Sequence, residues 1–286
     1  VAEPIPAFRS HPRSFERNLY VYPVLSRRAR GLSIGVNLSP HKACNMDCVY
    51  CQVDRTTPGP VKAVDLDTVE RELGELLPRA VSGEIFAGEP FRSAPPGLRR
   101  LADVAFSGDG EPTSFRGFLD AVRRVVRVKE ECGVPDLPVR IITNAIDLDR
   151  DEVREALRFL DGRGGEVWAK LDAGTEEYFR RVARTATPFP KVLRNIADTA
   201  RERPVVIQSL FCRLDGALPP ETEVGAWLDR LRDIVDSGGR IALVQVYTTA
   251  RPPAESSVTP LTLAELEPIA TRVRSEIGIA AETFGP

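Results

Sequence analysis

The chain has 286 residues, 42% hydrophobic and 28% charged, with a formal net charge of −2; these values lie near globular averages and exclude a disordered chain. No apolar run approaches the roughly 20 residues that a membrane span needs, and the opening VAEPIPAFRSHPR lacks the apolar core of a secretory signal, so a cytoplasmic protein is expected. The near balance of charge gives no general pull towards nucleic acid, and five cysteines, three of them clustered, do not make the spaced even set of a disulfide framework.

Residues 1–30 read as an N-terminal extension carrying Arg9, Arg13, Arg17, Arg27, Arg28 and Arg30 with the aromatics Phe15, Tyr20 and Tyr22. Such an arm either packs its aromatics on the following domain or contacts substrate or RNA. Residues 31–286 are expected to form one domain. Strands start near Ser33 (SIGVNL), Asp103 (DVAFSG), Val139 (VRIITNA), Glu166 (EVWAKLDA), Val205 (VVIQSLF) and Arg240 (RIALVQVY). Between them run helical patterns such as LDTVERELGELL from Leu66, FRGFLDAVRRVVRVKEE from Phe115, DEVREALRFL from Asp151 and ETEVGAWLDRLRDIV from Glu221. Asp65, Asp149 and Pro220 with Glu221 stand where helix starts favour a cap, an acid or a proline.

Parallel neighbours need a crossover helix, so this alternation predicts an α/β fold, a partial (βα)6 TIM-like barrel of parallel strands with outer helices. Six strand–helix repeats rather than eight leave one side open. The first interval is longer than the rest, and its insertion holds both the cysteine cluster and the segment GEPFRSAPPG.

Residues 41–51 read HKACNMDCVYC. Three thiols in one loop after a strand can surround one centre, and three ligands on a four-iron cubane leave the fourth iron open to an exogenous molecule. The competing arrangement adds His41 to Cys44, Cys48 and Cys51 as a Cys₃His zinc site in a non-catalytic, zinc-stabilised binding protein.

The spacing of three residues and then two, with Tyr50 before the last cysteine, resembles the radical S-adenosylmethionine (radical SAM) superfamily. That resemblance implies that Cys44, Cys48 and Cys51 ligate three irons of a 4Fe–4S cluster and that S-adenosyl-L-methionine chelates the fourth. It further implies an electron-driven cleavage of the cofactor to methionine and a 5'-deoxyadenosyl radical, a reducing partner such as flavodoxin or ferredoxin, and Tyr50 packed near the adenine.

A second segment, FSGDGEPT over 106–113, ends the second strand. Two glycines spaced by one residue let backbone approach a ligand, and Glu111 stands at the strand's C-terminal mouth, where barrel sites lie. The family commonly has Gly-Gly-Glu here, holding the cofactor's amino group; this chain has Gly108-Asp109-Gly110-Glu111, and the resemblance carries Ser107, Gly108, Gly110 and Glu111 over as cofactor-binding candidates. Thr143 and Asn144 end the third strand as a turn or a cofactor contact. Lys170 and Asp172 share one face of the fourth and need each other or a ligand. Gln208, Ser209 and Cys212 close the fifth, and Gln245 and Tyr247 the sixth; the amide of Gln245 is expected inside the barrel beside cofactor or substrate. Cys212 is a candidate hydrogen donor or a buried thiol, and Cys132 reads as structural.

VNLSPHKACNMDCVYC with FSGDGEPT also resembles the iron–sulfur oxidoreductase branch related to wybutosine-synthesis enzymes, which rebuild a guanosine in tRNA. Those enzymes carry a second cluster with cysteines upstream of the barrel, and no cysteine precedes Cys44 here. The expected reaction is therefore hydrogen abstraction from a small molecule or nucleoside, with RNA or protein modification as the alternative.

Overall fold

The structure, a computed structural model, describes Phe8, Arg13 and residues 15–286; Arg9 of the N-terminal arginines lies outside the described residues. The chain divides into two compact units, one of Val1–Cys44, Arg55–Ile142 and Arg150–Glu166, the other of Asn45–Asp54, Thr143–Asp149 and Val167–Pro286.

In the first unit the strands are β1 (Val21–Ser26), β2 (Gly31–Val36), β3 (Leu101–Phe106) and β4 (Val139–Thr143). β2, β3 and β4 pair in parallel in that order, and β2 is buried along its whole length, as a strand covered on both faces must be. β1 lies antiparallel to β2 with Val21 opposite Val36, so residues 21–26 of the expected extension are a sheet strand. Helices α1 (Leu66–Val81), α2 (Phe118–Glu131) and α3 (Asp151–Leu160) follow β2, β3 and β4. α1 begins at the expected cap, the Asp65 carboxylate accepting from the Asp67 N–H. It buries Val69, Leu73, Leu76, Leu77 and Ala80, a three-and-four stripe in which each large side chain contributes roughly 1.5–3 kcal/mol. Glu72 lies in that same buried face because its carboxylate accepts the N–H groups of Leu19, Tyr20 and Val21 at 2.8–3.0 Å. α3 is capped by Arg150 without a side-chain bond; the Asp149 expected there pairs instead with Lys191 at 3.2 Å.

The second unit contains β5 (Gly165–Lys170, from Val167 onward), β6 (Val205–Leu210), β7 (Cys212–Leu214), β8 (Ile241–Tyr247), β9 (Val258–Pro260) and β10 (Ala281–Phe284). β5, β6, β8 and β10 pair in parallel in that order, while β7 and β9 make a small antiparallel ribbon. Its helices are α4 (Glu176–Ala183), α5 (Phe189–Glu202), α6 (Glu221–Asp236) and α7 (Leu263–Arg272). α6 starts after Pro220 as expected and sends Trp227 inward, where its Nε1–H donates to the Leu171 carbonyl and the Ser209 hydroxyl. Gly174 allows this approach, since a Cβ there would lie 2.1 Å from the Trp227 nitrogen. Glu223, one turn earlier, receives the N–H groups of Gly174 and Thr175 and so fixes the loop after β5.

The six strands expected from the sequence are all present. β1 and β10 add to them, and among the described residues no helix is long and apolar enough to cross a membrane.

Candidate active site

The cysteine loop follows β2. Cys44 closes the first unit's opening segment, and Cys48 and Cys51 lie in the second unit. None of the five cysteines is in a disulfide. His41 is exposed, and among the described residues no three or more His, Cys, Asp or Glu side chains, the three cysteines included, are gathered as they would be around an ion.

In the first unit the start of this loop is fastened to the segment after β3. Asn37, almost fully buried, accepts the Ser39 N–H and the Asp109 N–H on its Oδ1 and donates to the Asp109 carboxylate at 2.7 Å. Gly108 and Gly110 are what allow it: a Cβ at Gly108 would stand 2.3 Å from Asn37 Oδ1, and one at Gly110 would stand 2.3 Å from the Ala43 carbonyl oxygen. Both glycines are thus needed for close approach of backbone to the cysteine loop. Glu111 is buried and its carboxylate accepts from Thr113 N–H and hydroxyl. Ser107 meets the Tyr22 hydroxyl through its carbonyl and its own hydroxyl. Arg13 donates to Tyr22 Oη at 2.8 Å and stands 3.7 Å from Asp109, which puts one arginine of the N-terminal arm on this loop.

In the second unit residues 45–54 pair along the end of α4, with Asp47 and Val49 N–H donating to the Ala183 and Val182 carbonyls. Val49 and Tyr50 enter an apolar cluster with Val182, Leu210, Cys212, Leu214, Tyr247 and Val258, and Cys48 packs against it. Burial pushes the Cys48 thiol up to about 12, an effect opposed by the nearby Lys170 ammonium. It pushes Cys212 to the same value and Tyr50 well above its ordinary value, with the Asp172 charge adding to the rise. Lys170 and Asp172 form an ion pair at 3.4 Å. Tyr50 ties both together: its hydroxyl donates to Asp172, and the Lys170 ammonium lies 4.7 Å from its ring centroid. A pocket here is lined by Met46, Tyr50, Asn144, Lys170, Asp172 and Phe179 among others. Thr143 and Asn144 make the expected turn, their side-chain oxygens accepting the Ala145 and Ile146 N–H groups; Asn144 also donates to Asn45 of the cysteine loop at 2.6 Å. Gln245 is buried and accepts from Gln208 at 2.8 Å.

Asn37, Asn45 and Asp109 bond within or beside the cysteine loop, and motif spacing did not single them out. Their signal was present as polar residues flanking apolar strand ends and the cysteine loop. Their roles depend on pairings across the sheet, which spacing does not encode.

These features belong to an enzyme class, and the family comparison names it. The Radical SAM superfamily model matches residues 38–211, more than half of the chain, and the chain belongs to that superfamily, whose members use a 4Fe–4S cluster and S-adenosylmethionine. A UPF0026 protein of Methanocaldococcus jannaschii is 30% identical over 57% of this chain and 43% of its own length. A UPF0026 protein of Helicobacter pylori is 29% identical over 62% and 48%. A Brachyspira hyodysenteriae protein named GTPase Obg is 28% identical over 63% of this chain and 23% of its own length. The chain therefore spans less than half the length of these curated relatives. Among solved structures, a radical SAM methyltransferase from Sphaerobacter thermophilus aligns over 92% of this chain and 68% of its own with a TM-score of 0.62 at 13% identity. TYW1, a wybutosine-synthesis enzyme solved with a lysine–pyruvate adduct, aligns over 86% and 73% with a TM-score of 0.52 at 17% identity. At these identities the likeness shows the fold, an α/β partial barrel of parallel strands with outer helices. The residues present fit the two cofactors in their chemistry: three reduced thiols in one loop, and beside Ala43 a glycine cradle that a Cβ would fill.

Proposed function

We propose that this protein is a radical SAM enzyme that abstracts hydrogen from a small molecule or nucleoside. The observation that carries the reading is the three-thiol loop anchored through Asn37, Gly108 and Gly110 to the segment after β3. When bound, the cluster and S-adenosylmethionine supply one-electron cleavage of the sulfonium C–S bond, giving methionine and a 5'-deoxyadenosyl radical that takes a hydrogen atom from the substrate. Cys44, Cys48 and Cys51 are the residues that would hold the cluster. The apolar cluster around Tyr50 excludes water from Cys48 and Cys212. Lys170 lowers the cost of a thiolate at Cys48, since a nearby cation favours the charged form. Gly110 and Glu111, with Ser107 and Gly108, would hold the cofactor's amino end, and Tyr50, Thr143, Asn144, Lys170, Asp172, Gln245 and Tyr247 are the remaining candidates for contact with it. A flavodoxin or ferredoxin in the cytoplasm supplies the electron.

Anaerobic reconstitution tests this. The expected protein is brown, holds about four irons per chain, and forms 5'-deoxyadenosine when given S-adenosylmethionine and dithionite. Colourless protein holding one zinc overturns the reading. Replacing Cys44, Cys48 and Cys51 together by Ala abolishes both colour and product.

A further inference from the structure

Pairing register in the second unit sets four polar residues level with one another across four adjacent strands. Lys170 on β5 is opposite Gln208 on β6, Gln208 is opposite Gln245 on β8, and Gln245 is opposite Glu282 on β10. Residues in register on neighbouring parallel strands point to the same face. Ser209, the next residue on β6, accepts from Trp227 of helix α6, and Thr283, the next on β10, donates to Glu267 of helix α7. Period two therefore turns the four-residue row away from the helices. At its β5 end Lys170 reaches Tyr50 of the cysteine loop.

The middle of this row is chemically incomplete. Gln208 is 0% exposed and Gln245 1%, and the Gln208 Nε2 donates to the Gln245 Oε1. The Gln208 Oε1 has no hydrogen-bond partner. Exchanging the amide oxygen and nitrogen of both side chains keeps the bond between them and reverses its direction. A buried amide left with an unmatched oxygen costs more than the bond it makes with its neighbour returns, so a pair of leucines would serve the core better. The pair is completed by a ligand that offers a hydrogen-bond donor and an acceptor side by side.

We propose that the Lys170–Gln208–Gln245–Glu282 row is the substrate site of this enzyme and that the glutamine pair reads the donor–acceptor edge of a nucleobase. Glutamine amides pair in two-point fashion with such edges, as in recognition of adenine. Lys170 lines the pocket with Tyr50 and Asp172, and Glu282 is part-exposed. The inference rests on the hydrogen-abstraction reading above and names the substrate class for it. The cofactor's own adenine presents the same kind of edge, and the experiment separates the two occupants.

Binding of adenosine, guanosine, cytidine, uridine and purine riboside is measured calorimetrically on the reconstituted full chain, with and without S-adenosylmethionine, for the wild type and Gln208→Leu/Gln245→Leu. Purine riboside has ring acceptors but no exocyclic donor. The expected result is at least one nucleoside bound about tenfold more tightly than purine riboside by the wild type, with that preference lost in the double variant. The unfolding midpoint of the variant stays level or rises by roughly 2–4 °C, because an unmatched buried acceptor has been removed. The proposal is overturned if no nucleoside is preferred, if the preference survives in the variant, or if the midpoint falls, which would make the pair a structural bond. It is equally overturned if the variant weakens S-adenosylmethionine and leaves the nucleosides untouched, since the row then reads the cofactor. Formation of 5'-deoxyadenosine is assayed on the same wild-type sample; its absence counts against hydrogen abstraction, while the nucleoside preference is judged from binding alone.

Discussion

Replacing Gly110 by Ala tests whether the segment after β3 positions the cysteine loop. An added Cβ would lie 2.3 Å from the Ala43 carbonyl oxygen, 2.7 Å from Ser39 Cβ and 2.9 Å from Ser39 Oγ, where ordinary contact begins near 3.4 Å. The Ser39 hydroxyl can rotate away, but the carbonyl is backbone and must retreat by about an ångström. Ala43 directly precedes Cys44, and the turn behind it is held by the Lys42 N–H on the Ser39 carbonyl at 2.9 Å. Overpacking of this kind costs about 1–3 kcal/mol, which lowers the unfolding midpoint by roughly 2–10 °C. The chemical penalty is larger, because displacing a reacting centre by about 1 Å costs on the order of 100-fold in rate. The assay is 5'-deoxyadenosine formation by reconstituted protein, with iron content and the dissociation constant for S-adenosylmethionine measured on the same samples. Wild-type turnover in Gly110→Ala, with or without a lower midpoint, would refute the link between this glycine and the cysteine loop.

Gly74→Ala in helix α1 and Gly225→Ala in α6 meet nothing within 4 Å and are expected to raise stability by about 0.5–1 kcal/mol each in denaturant titrations. Glu72→Gln presents an NH₂ towards backbone donors that now share one carboxylate; it should cost about 2–3 kcal/mol and expose residues 15–30 to limited proteolysis. Tyr50→Phe removes the hydroxyl from Asp172 and should lower the apoprotein's midpoint by a few degrees, at about 1–2 kcal/mol. Burial raises the Cys212 thiol from 9.0 to about 12, so the folded chain holds this proton more tightly than the unfolded chain. Its contribution to stability is complete below pH 9 and is lost between pH 9 and 12. Cys212→Ala should flatten the fall in midpoint across that range, and an unchanged slope would mean that the thiol is open to solvent.

The alternation of strands and helices was legible because parallel strands buried on both faces leave short, mostly apolar segments, and β2, β3 and β6 read that way despite one or two polar residues each. β1 was not legible: VYPVLS follows the arginine-rich residues that suggested an arm, and what makes it a strand is pairing with β2 together with the grip of Glu72, two contacts distant in sequence. β7 and β9, three residues each, are too short for any period to register. At the site, the cysteine spacing and the glycines of the second segment were visible because close backbone approach restricts residue type. The ion pair of Lys170 with Asp172 was one of the two readings that period two left open, whereas Tyr50 joining them was not foreseen, because it comes from a different loop.

Two groups of buried polar residues in this protein differ in bonding completeness. Near the N-terminal ends of their strands, Ser33 donates to Asp103, Arg140 donates to Asp103 and to Glu166, and Asp103 is 1% exposed. Burial raises the Asp103 carboxyl despite these partners, yet each charge has an opposite charge or a donor against it. Such a network maintains the fold whether or not a ligand is present, in keeping with the stabilising role of the N-terminal end of barrel strands. Near the C-terminal ends of theirs, Gln208 and Gln245 are buried as deeply, carry no charge, and leave an acceptor unmatched. Neutral amides are cheaper to bury than charges, so completing that pair within the protein would have required only one hydroxyl or amide nearby. An incomplete polar pair at the end of the sheet where barrel enzymes bind substrates is better explained by a ligand than by the fold.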